Sequence, residues 1–544
     1  MTTESAEPFS LEPDAFEVTF ADPTDAELTW DRDDTHMPFA LTPLASDYVR
    51  VIAAGMNVRY ERFAGFPQRW RAAIWNGYAY FAIRMDPQDR PAIIGGWEAV
   101  CRAQIETVGR WWAEEARPEL LDAYGRIASI DVEDLSGGEL AEAWSEAWEL
   151  TLRAWGIHFV VIMGPYQVID DLADTFEKAI PDAPAGQALQ LIQGFGDDLF
   201  AVEAGIERLA VLAARSPGVA ASLGATARTE REDLLHVDGG PAFVEHLDAF
   251  LSAHGHLGQA FDDLALASWT EEPWLLLAEI AKRIDRPAVS ATRRRERLVV
   301  EANALADRAR EALADRPDEL ATFERLLAFG REVGPLTEGH NYWIDRMSQS
   351  RLRTLVMRIG RRLVADASLS QPDDVFFLYR SEIEDAVREP RDLRGLVRER
   401  RADHARWRQI QPPAVVGKPR TEDLPPDRFD GQRQASDDPD TVRGTGASPG
   451  VVRGAARVTL APDDFGRIMP GDIIVCPSSN PSWVPVFAIA GGLVTNTGGV
   501  LSHAAVVARE FGLPAVVGTH DGTARIADGR IVEIDGTSGT VRLL

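Results

Sequence analysis

Near residue 410 this chain changes texture so sharply that one fold cannot serve both parts. From residue 444 to 544 lie 16 of the 44 glycines but one of the 14 tryptophans, Trp483. Short Val/Ile-rich runs at 473–475, 492–494, 515–517 and 530–534 alternate there with turn pairs such as Asp528-Gly529 and Asp535-Gly536. That pattern predicts a small α/β domain of short strands. Residues 1–410 are instead rich in Ala, Leu, Glu and Arg. Their apolar residues recur three and four apart in 140–155, 188–213, 295–313 and 318–333, the spacing of helices with one buried face. Asn76-Gly77 marks a hairpin in this otherwise helical body. Between the two parts, 411–443 is rich in Pro, Asp, Arg and Gln without helical periodicity, and reads as a linker or as a long surface crossing. Flexible chain of this length spans roughly 30 Å, enough to let the C-terminal domain visit separate sites.

Composition removes several functions. The net charge of -28 argues against unaided binding to nucleic acid or an anionic membrane, since either needs a basic surface. No apolar stretch reaches membrane-spanning length. The first residues, Met-Thr-Thr-Glu-Ser-Ala-Glu, lack a basic segment followed by an apolar one, and there are only two cysteines, Cys101 and Cys476. These features point to a reducing cytoplasm with both thiols packed.

Chemistry concentrates at 497–518, Thr-Gly-Gly-Val-Leu-Ser-His-Ala-Ala-Val-Val-Ala-Arg-Glu-Phe-Gly-Leu-Pro-Ala-Val-Val-Gly. Gly498 and Gly499 expose backbone N–H groups, Ser502 is a good N-cap, and a helix starting at His503 turns its positive end toward whatever the imidazole carries. Gly512 and Pro514 end that helix. A neutral imidazole there is a candidate covalent phosphate carrier, with Thr497, Ser502 and Arg509 as further phosphate contacts. A histidine that only caps or packs the corner is the bland alternative.

The segment resembles, almost residue by residue, the phosphohistidine signature of the swivelling domain of phosphoenolpyruvate-utilising enzymes. The resemblance covers the last hundred or so residues, from Gly444-Thr-Gly-Ala-Ser-Pro-Gly450 through Pro470-Gly-Asp472 to Val532-Glu-Ile-Asp-Gly536. Pieces of the helical part are similar to the acceptor-binding domain of rifampicin phosphotransferase and the related subunit of phenylphosphate synthase. In order they are Leu28-Thr-Trp-Asp31, His36-Met-Pro38, Asn76-Gly-Tyr78, Gly255-His256, Ser268-Trp269, Glu338-Gly-His-Asn-Tyr342 and Asp373-Asp-Val-Phe-Phe-Leu378. The resemblance therefore implies a multidomain protein. A mainly helical substrate domain at 1–410 and a linker at 411–443 precede an α/β phosphohistidine swivelling domain at 444–544.

It also implies a relay. Dikinases and phosphoenolpyruvate synthases carry a strand- and glycine-rich ATP-grasp domain and a later barrel; residues 1–410 lack the first texture and the chain stops at Leu544. The expectation is an ATP-grasp partner in trans that uses ATP and Mg2+ to charge His503, and a small organic hydroxyl acceptor in the helical domain. The concentration of tryptophans there, 13 of 14, suits an aromatic or apolar acceptor.

Acceptor-site candidates are His256 and His340, inside the matched motifs, and the run Arg346, Arg351, Arg353 and Arg358. The arginines equally suit a solvated helix face or ion pairs with an acidic body. Glu338 and Asp345 are candidates for a general base or for holding a metal, of which no ion is specified. Two departures from the families matter. Leu257 follows the Gly-His pair where rifampicin phosphotransferase typically has Arg, and Leu501 stands where dikinases place a regulatory threonine. The rival reading is a non-catalytic phosphocarrier or regulatory subunit. An apolar cavity over His340 and His256 favours the enzyme and a filled core favours the carrier.

Overall fold

The structure is a computed structural model that describes residues 16–544 apart from 34–35, 38, 63–68, 85–89, 184–185, 226–227, 259–262, 285–289, 411, 420–437, 439, 460–463, 465–466, 480–482, 488 and 501. The first seven residues, Pro38, Leu501 and most of the expected linker therefore lie outside the described residues.

A mainly helical body is followed by a small α/β domain. Three apolar clusters hold the body. One joins the helices Pro43–Arg62, Gly137–Val161 and Met347–Ala365 around Trp144, Trp148 and Trp155. The second joins Met163–Ala179, Ala291–Ala312 and Pro317–Val333. A third lies among Asp198–Arg215, Gly240–His254 and Pro273–Ala281. Ser136 caps the Gly137–Val161 helix in a capping box with Glu139, so that helix starts where its first apolar face begins.

On the edge of the body, β1 (Thr29–Arg32), β2 (Arg69–Trp75), β3 (Tyr78–Arg84) and β4 (Val415–Gly417) form an antiparallel sheet in the order β2-β3-β1-β4. Asn76 and Gly77, at φ 49 and 78, make the hairpin turn that pairs Trp75 with Tyr78.

The expected helix over 188–213 is broken. A 3-10 turn, Gln187–Ile192, gives way to a bend at Gly194 (φ 80) before the helix Asp198–Arg215. The apolar spacing was that of a helix, but Gln193-Gly-Phe-Gly196 turns the chain, and a Cβ on Gly194 would sit 3.0 Å from Val299.

In the small domain an eight-stranded sheet has the order β5-β12-β11-β7-β8-β9-β10-β6. Its strands are β5 (Thr441–Arg443), β6 (Thr445–Ser448), β7 (Val451–Val458), β8 (Ile473–Cys476), β9 (Gly492–Thr495), β10 (Ala515–Val517), β11 (Ile531–Asp535) and β12 (Thr540–Leu543). From β7 to β10 the pairs are parallel. The strands β8, β9 and β10 are buried along their whole length, so they read as unbroken apolar runs rather than alternating ones. One face packs on the helix His503–Phe511 through Ala504, Ala505, Val507 and Ala508.

The segment expected as a linker is thus strand at both ends. Val415 and Val416 extend the body's sheet against β1, and 441–443 add an edge to the large sheet against β12. β-Branched residues find open sheet edges there, a tertiary gain invisible in a Pro-rich stretch. Cys101 and Cys476 are buried free thiols. Among the described residues no helix is long and apolar enough to cross a membrane.

Candidate active site

Ser502 enters the helix His503–Phe511 in extended geometry (φ -64, ψ 156), and its Oγ accepts the Ala505 N–H at 3.4 Å while donating to Gly499 O at 2.8 Å. Gly512, left-handed at φ 64, closes the helix. Gly498 turns the loop at φ 98, where a Cβ would meet Ser502 Oγ at 2.7 Å. Thr497 anchors it: its N–H and Oγ1 both donate to Pro477 O, at 3.0 and 3.1 Å.

The loop and helix thereby fix the imidazole of His503. Its Nδ1 lies 2.6 Å from Oε2 of Glu338, which belongs to the helix Leu336–His340 of the body. Nδ1–H donates to the carboxylate, which leaves the lone pair on Nε2. That nitrogen is buried and has no hydrogen-bond partner among the described residues.

A cavity of about 100 Å3 opens alongside. Val506, Arg509 and Glu510 of the His503 helix form one wall; Tyr166, Phe200, Leu257, Trp269 and Tyr342 of the body form much of the rest, with Gln193, Asp198, Glu338 and Asn341 as polar points. An apolar, aromatic hollow with a few converging polar groups is the usual form of a small-molecule site.

Burial controls the charges around it. The Arg509 guanidinium donates to Ala447 O at 3.0 Å, and desolvation draws its pKa down to about 10. Desolvation pushes the Glu510 carboxyl up to about 7, and Oε2 of Glu510 has no partner among the described residues. Asp198 is raised by the same cause, although it accepts from Trp343 Nε1 at 3.1 Å. Two cavity acids are thus biased toward their neutral forms, which lowers the repulsion an incoming anion would meet.

Next to Glu338 is a second polar group. His340 donates from Nδ1 to Leu336 O at 2.7 Å, and burial draws its pKa down to about 4, so the ring is neutral. The His158 ring lies 4.5 Å from it, nearly perpendicular, and meets Oδ1 of Asp345 through Nδ1 at 2.7 Å. Burial pushes the Asp345 carboxyl up, but His158, His340 and Arg346 outweigh it and the net shift is downward. Asp345 sits in a π-helical turn, Asn341–Arg346, between two α-helical segments; such turns recur at functional sites.

The other acceptor-site candidates divide. The His256 ring stands edge-on to Tyr342 at 4.5 Å, against a cavity-lining residue, and burial lowers its pKa to about 3. Arg346, Arg351 and Arg353 are not among the residues lining the cavity. Arg353 pairs with Glu271 at 2.8 Å, donates to Leu264 O at 2.7 Å and stacks on Phe376; Arg346 is buried beside Asp345. An arginine-rich helix in an acidic body found ion pairs within that body. Sequence reasoning passed over His158 and Tyr166. The one available signal for His158 was a lone titratable residue in the apolar run 154–161.

The fold and the site define a two-part protein in which a helical body and a small α/β domain share one cavity. Residues 468–539 match the PEP-utilising enzyme, mobile domain, and residues 160–338 match the rifampicin phosphotransferase fourth domain. The chain thus carries a mobile domain of the phosphoenolpyruvate-utilising enzymes and resembles rifampicin phosphotransferase among them. It is 30% identical to the chondramide synthase of Chondromyces crocatus over 98% of this chain and 14% of that one. It is also 30% identical to an uncharacterized phosphotransferase of Bacillus subtilis over 58% of this chain and 38% of that one. With the rifampicin phosphotransferase of Streptomyces sviceus it shares 30% identity over 58% of this chain and 36% of the relative. The chain spans less than half the length of these relatives.

Proposed function

We propose that this chain is a phosphotransferase component in which His503 carries a phosphoryl group on Nε2 and passes it to a hydroxyl of a small acceptor in the cavity. The observation that carries this reading is the His503 ring: its Nε2 has no partner among the described residues, and its Nδ1 is held at 2.6 Å by Glu338, which lines the cavity although His503 itself does not. The acceptor oxygen attacks phosphorus, the P–Nε2 bond breaks, its electron pair returns to the ring, and the hydroxyl proton passes to water. Glu338 keeps Nδ1 protonated and disperses the positive charge of the phosphorylated ring. Tyr166, Phe200, Trp269 and Tyr342 favour an aromatic or apolar acceptor. The cavity does not lie over His340 and His256, neither of which lines it, but it is bounded by their neighbours Glu338, Tyr342 and Leu257, and an apolar hollow there supports the enzyme over a carrier that only relays phosphate.

The cavity does not suit ATP with magnesium. Its charged lining is Asp197, Asp198, Glu338 and Glu510 against one cation, Arg509, among the described residues. Charging of His503 is accordingly assigned to an ATP-grasp partner in trans. The docked position is held by the Gly194 N–H donating to Glu510 at 3.4 Å and by Arg294 over the Phe511 ring at 4.4 Å. Both contacts must open for His503 to reach a charging site. The cytoplasm is the compartment this scheme requires.

Phosphoramidate, a chemical phosphoryl donor, tests the reading without the partner. Acid-labile label on Nε2 of His503, absent from His503→Ala and chased off by a mixture of phenolic and aliphatic alcohols, supports it. Label that survives His503→Ala rejects it.

A further inference from the structure

His158, His340 and Asp345 stand together in the body, each buried, with one donor atom from each within 4.8 Å of the other two. We propose that these three residues form a binding site for a divalent transition-metal ion of the Zn2+, Mn2+ and Fe2+ class, distinct from any magnesium that accompanies a nucleotide.

Two imidazoles and a carboxylate are a donor set for such ions, whereas Mg2+ prefers oxygen ligands and keeps its waters. The supporting bonds are those a metal-binding histidine needs. His340 donates Nδ1–H to the Leu336 carbonyl at 2.7 Å, which orients the ring and leaves Nε2 with its lone pair. His158 Nδ1 lies 2.7 Å from Asp345 Oδ1; on cation binding the ring changes tautomer, Nδ1 giving up its proton and Nε2 taking one, which leaves the ring neutral and its Nδ1 lone pair free for the ion. The three ligands come from elements that packing fixes. His158 lies in the long helix Gly137–Val161, His340 ends Leu336–His340, and Asp345 is delivered by the π-helical turn that follows. Three protein ligands leave coordination positions open, the arrangement of catalytic rather than structural sites.

The role we attach to the ion rests on the phosphoryl-transfer reading. Phosphoryl transfer depends on neutralising negative charge. The described cavity wall offers one cation, Arg509, already engaged by Ala447 O. Glu338, which holds His503, also accepts from Asn341 Nδ2 at 3.4 Å, the first residue of the turn that carries Asp345. A divalent ion at the cluster supplies positive charge from inside the body, on the segments that carry Glu338.

The test titrates chelator-stripped full-length protein with Co2+, Zn2+, Mn2+ and Mg2+, by calorimetry and, for Co2+, by visible absorption. The expected result is one equivalent of Co2+ or Zn2+ with visible d–d bands and at least tenfold weaker Mg2+. His340→Gln and Asp345→Asn should each weaken binding at least tenfold. On the unmodified protein, NMR of the Co2+ form should show paramagnetically shifted exchangeable imidazole N–H signals, a readout independent of how the variants fold. No stoichiometric binding, or binding without those shifted signals, overturns the site and leaves a plain buried His158–Asp345 pair. If metal binds but phosphoryl transfer to and from His503 is the same in the stripped protein, the site stands and its role in transfer falls.

Discussion

Two imidazoles in this molecule meet a carboxylate at almost the same distance, 2.6 Å for His503 with Glu338 and 2.7 Å for His158 with Asp345. They differ in what joins the partners. His503 and Glu338 come from two domains connected through 411–443, so their contact exists only while the small domain is docked. His158 and Asp345 come from segments packed within one body, around the apolar residues Ile157, Val161 and Ile344. On the proposed relay, the same chemistry is exchangeable in one place and permanent in the other. For a phosphocarrier the exchangeable pair is the useful one, because the carboxylate orients the ring at the acceptor site and releases it for recharging.

The comparison breaks most visibly at His503. His503→Ala should reduce phosphoryl transfer by more than about 10^3-fold, as for loss of a covalent nucleophile. His158→Ala should leave phosphorylation of the protein by phosphoramidate within a fewfold of wild type. Equal loss in both, measured as acid-labile label, contradicts the division of labour.

Glu338→Gln comes next. It preserves shape but no longer fixes the Nδ1 proton, so transfer to an acceptor should fall by about 10^2-fold or more. NMR of the labelled protein should show a mixture of Nδ1 and Nε2 phosphohistidine in place of one isomer, a change that a purely structural role for Glu338 does not produce. Folding stability should stay near wild type, since the domains fold without this contact.

Asp345→Asn should do the reverse. Removing the charge from a buried, hydrogen-bonded pair should lower unfolding free energy by about 2 to 3 kcal/mol, read by denaturant melts of metal-free protein. A variant as stable as wild type shows that the inner pair is no more structural than the outer one.

How much of this was legible in the sequence depends on how local the signal is. The cap at Ser502, the helix from His503 and its stop at Gly512 follow from side-chain and glycine rules acting within a few residues, and the structure reproduces them. The strands at 473–475, 492–494 and 515–517 follow from short apolar runs bounded by turns, for the same reason. The break at Gly194 was hidden because apolar spacing continues across it. Arg353 looked free to meet a phosphate because its partners, Glu271 and Leu264, lie 82 and 89 residues away in sequence. His158 was passed over for a related reason. An imidazole on an apolar helix gains meaning only when Asp345, 187 residues later, is folded against it.

The smallest expected effect concerns the pH at which the exchangeable contact holds. Glu510 is buried on docking, faced by Arg509 on its own helix and by Arg294, Glu338 and the Gly194 N–H from the body, and burial pushes its carboxyl from near 4.5 to about 7. Once the small domain moves away, the carboxyl is solvated and returns toward its ordinary value. Below about 4.5 both states hold the proton and docking has its full strength. Between there and about 7 the docked state retains a proton that the open state has released, so each step upward in pH weakens docking; above 7 the contribution is gone. The loss accumulates across this window and is complete at its upper end. Fluorescence energy transfer between dyes on the two domains should report a closed fraction that falls from pH 5 to pH 7.5 in wild type and stays level in Glu510→Gln, which carries no titrating proton. A closed fraction that rises with pH, or falls equally in the variant, removes Glu510 from control of docking and leaves the interdomain hold to the His503–Glu338 and Arg294–Phe511 contacts.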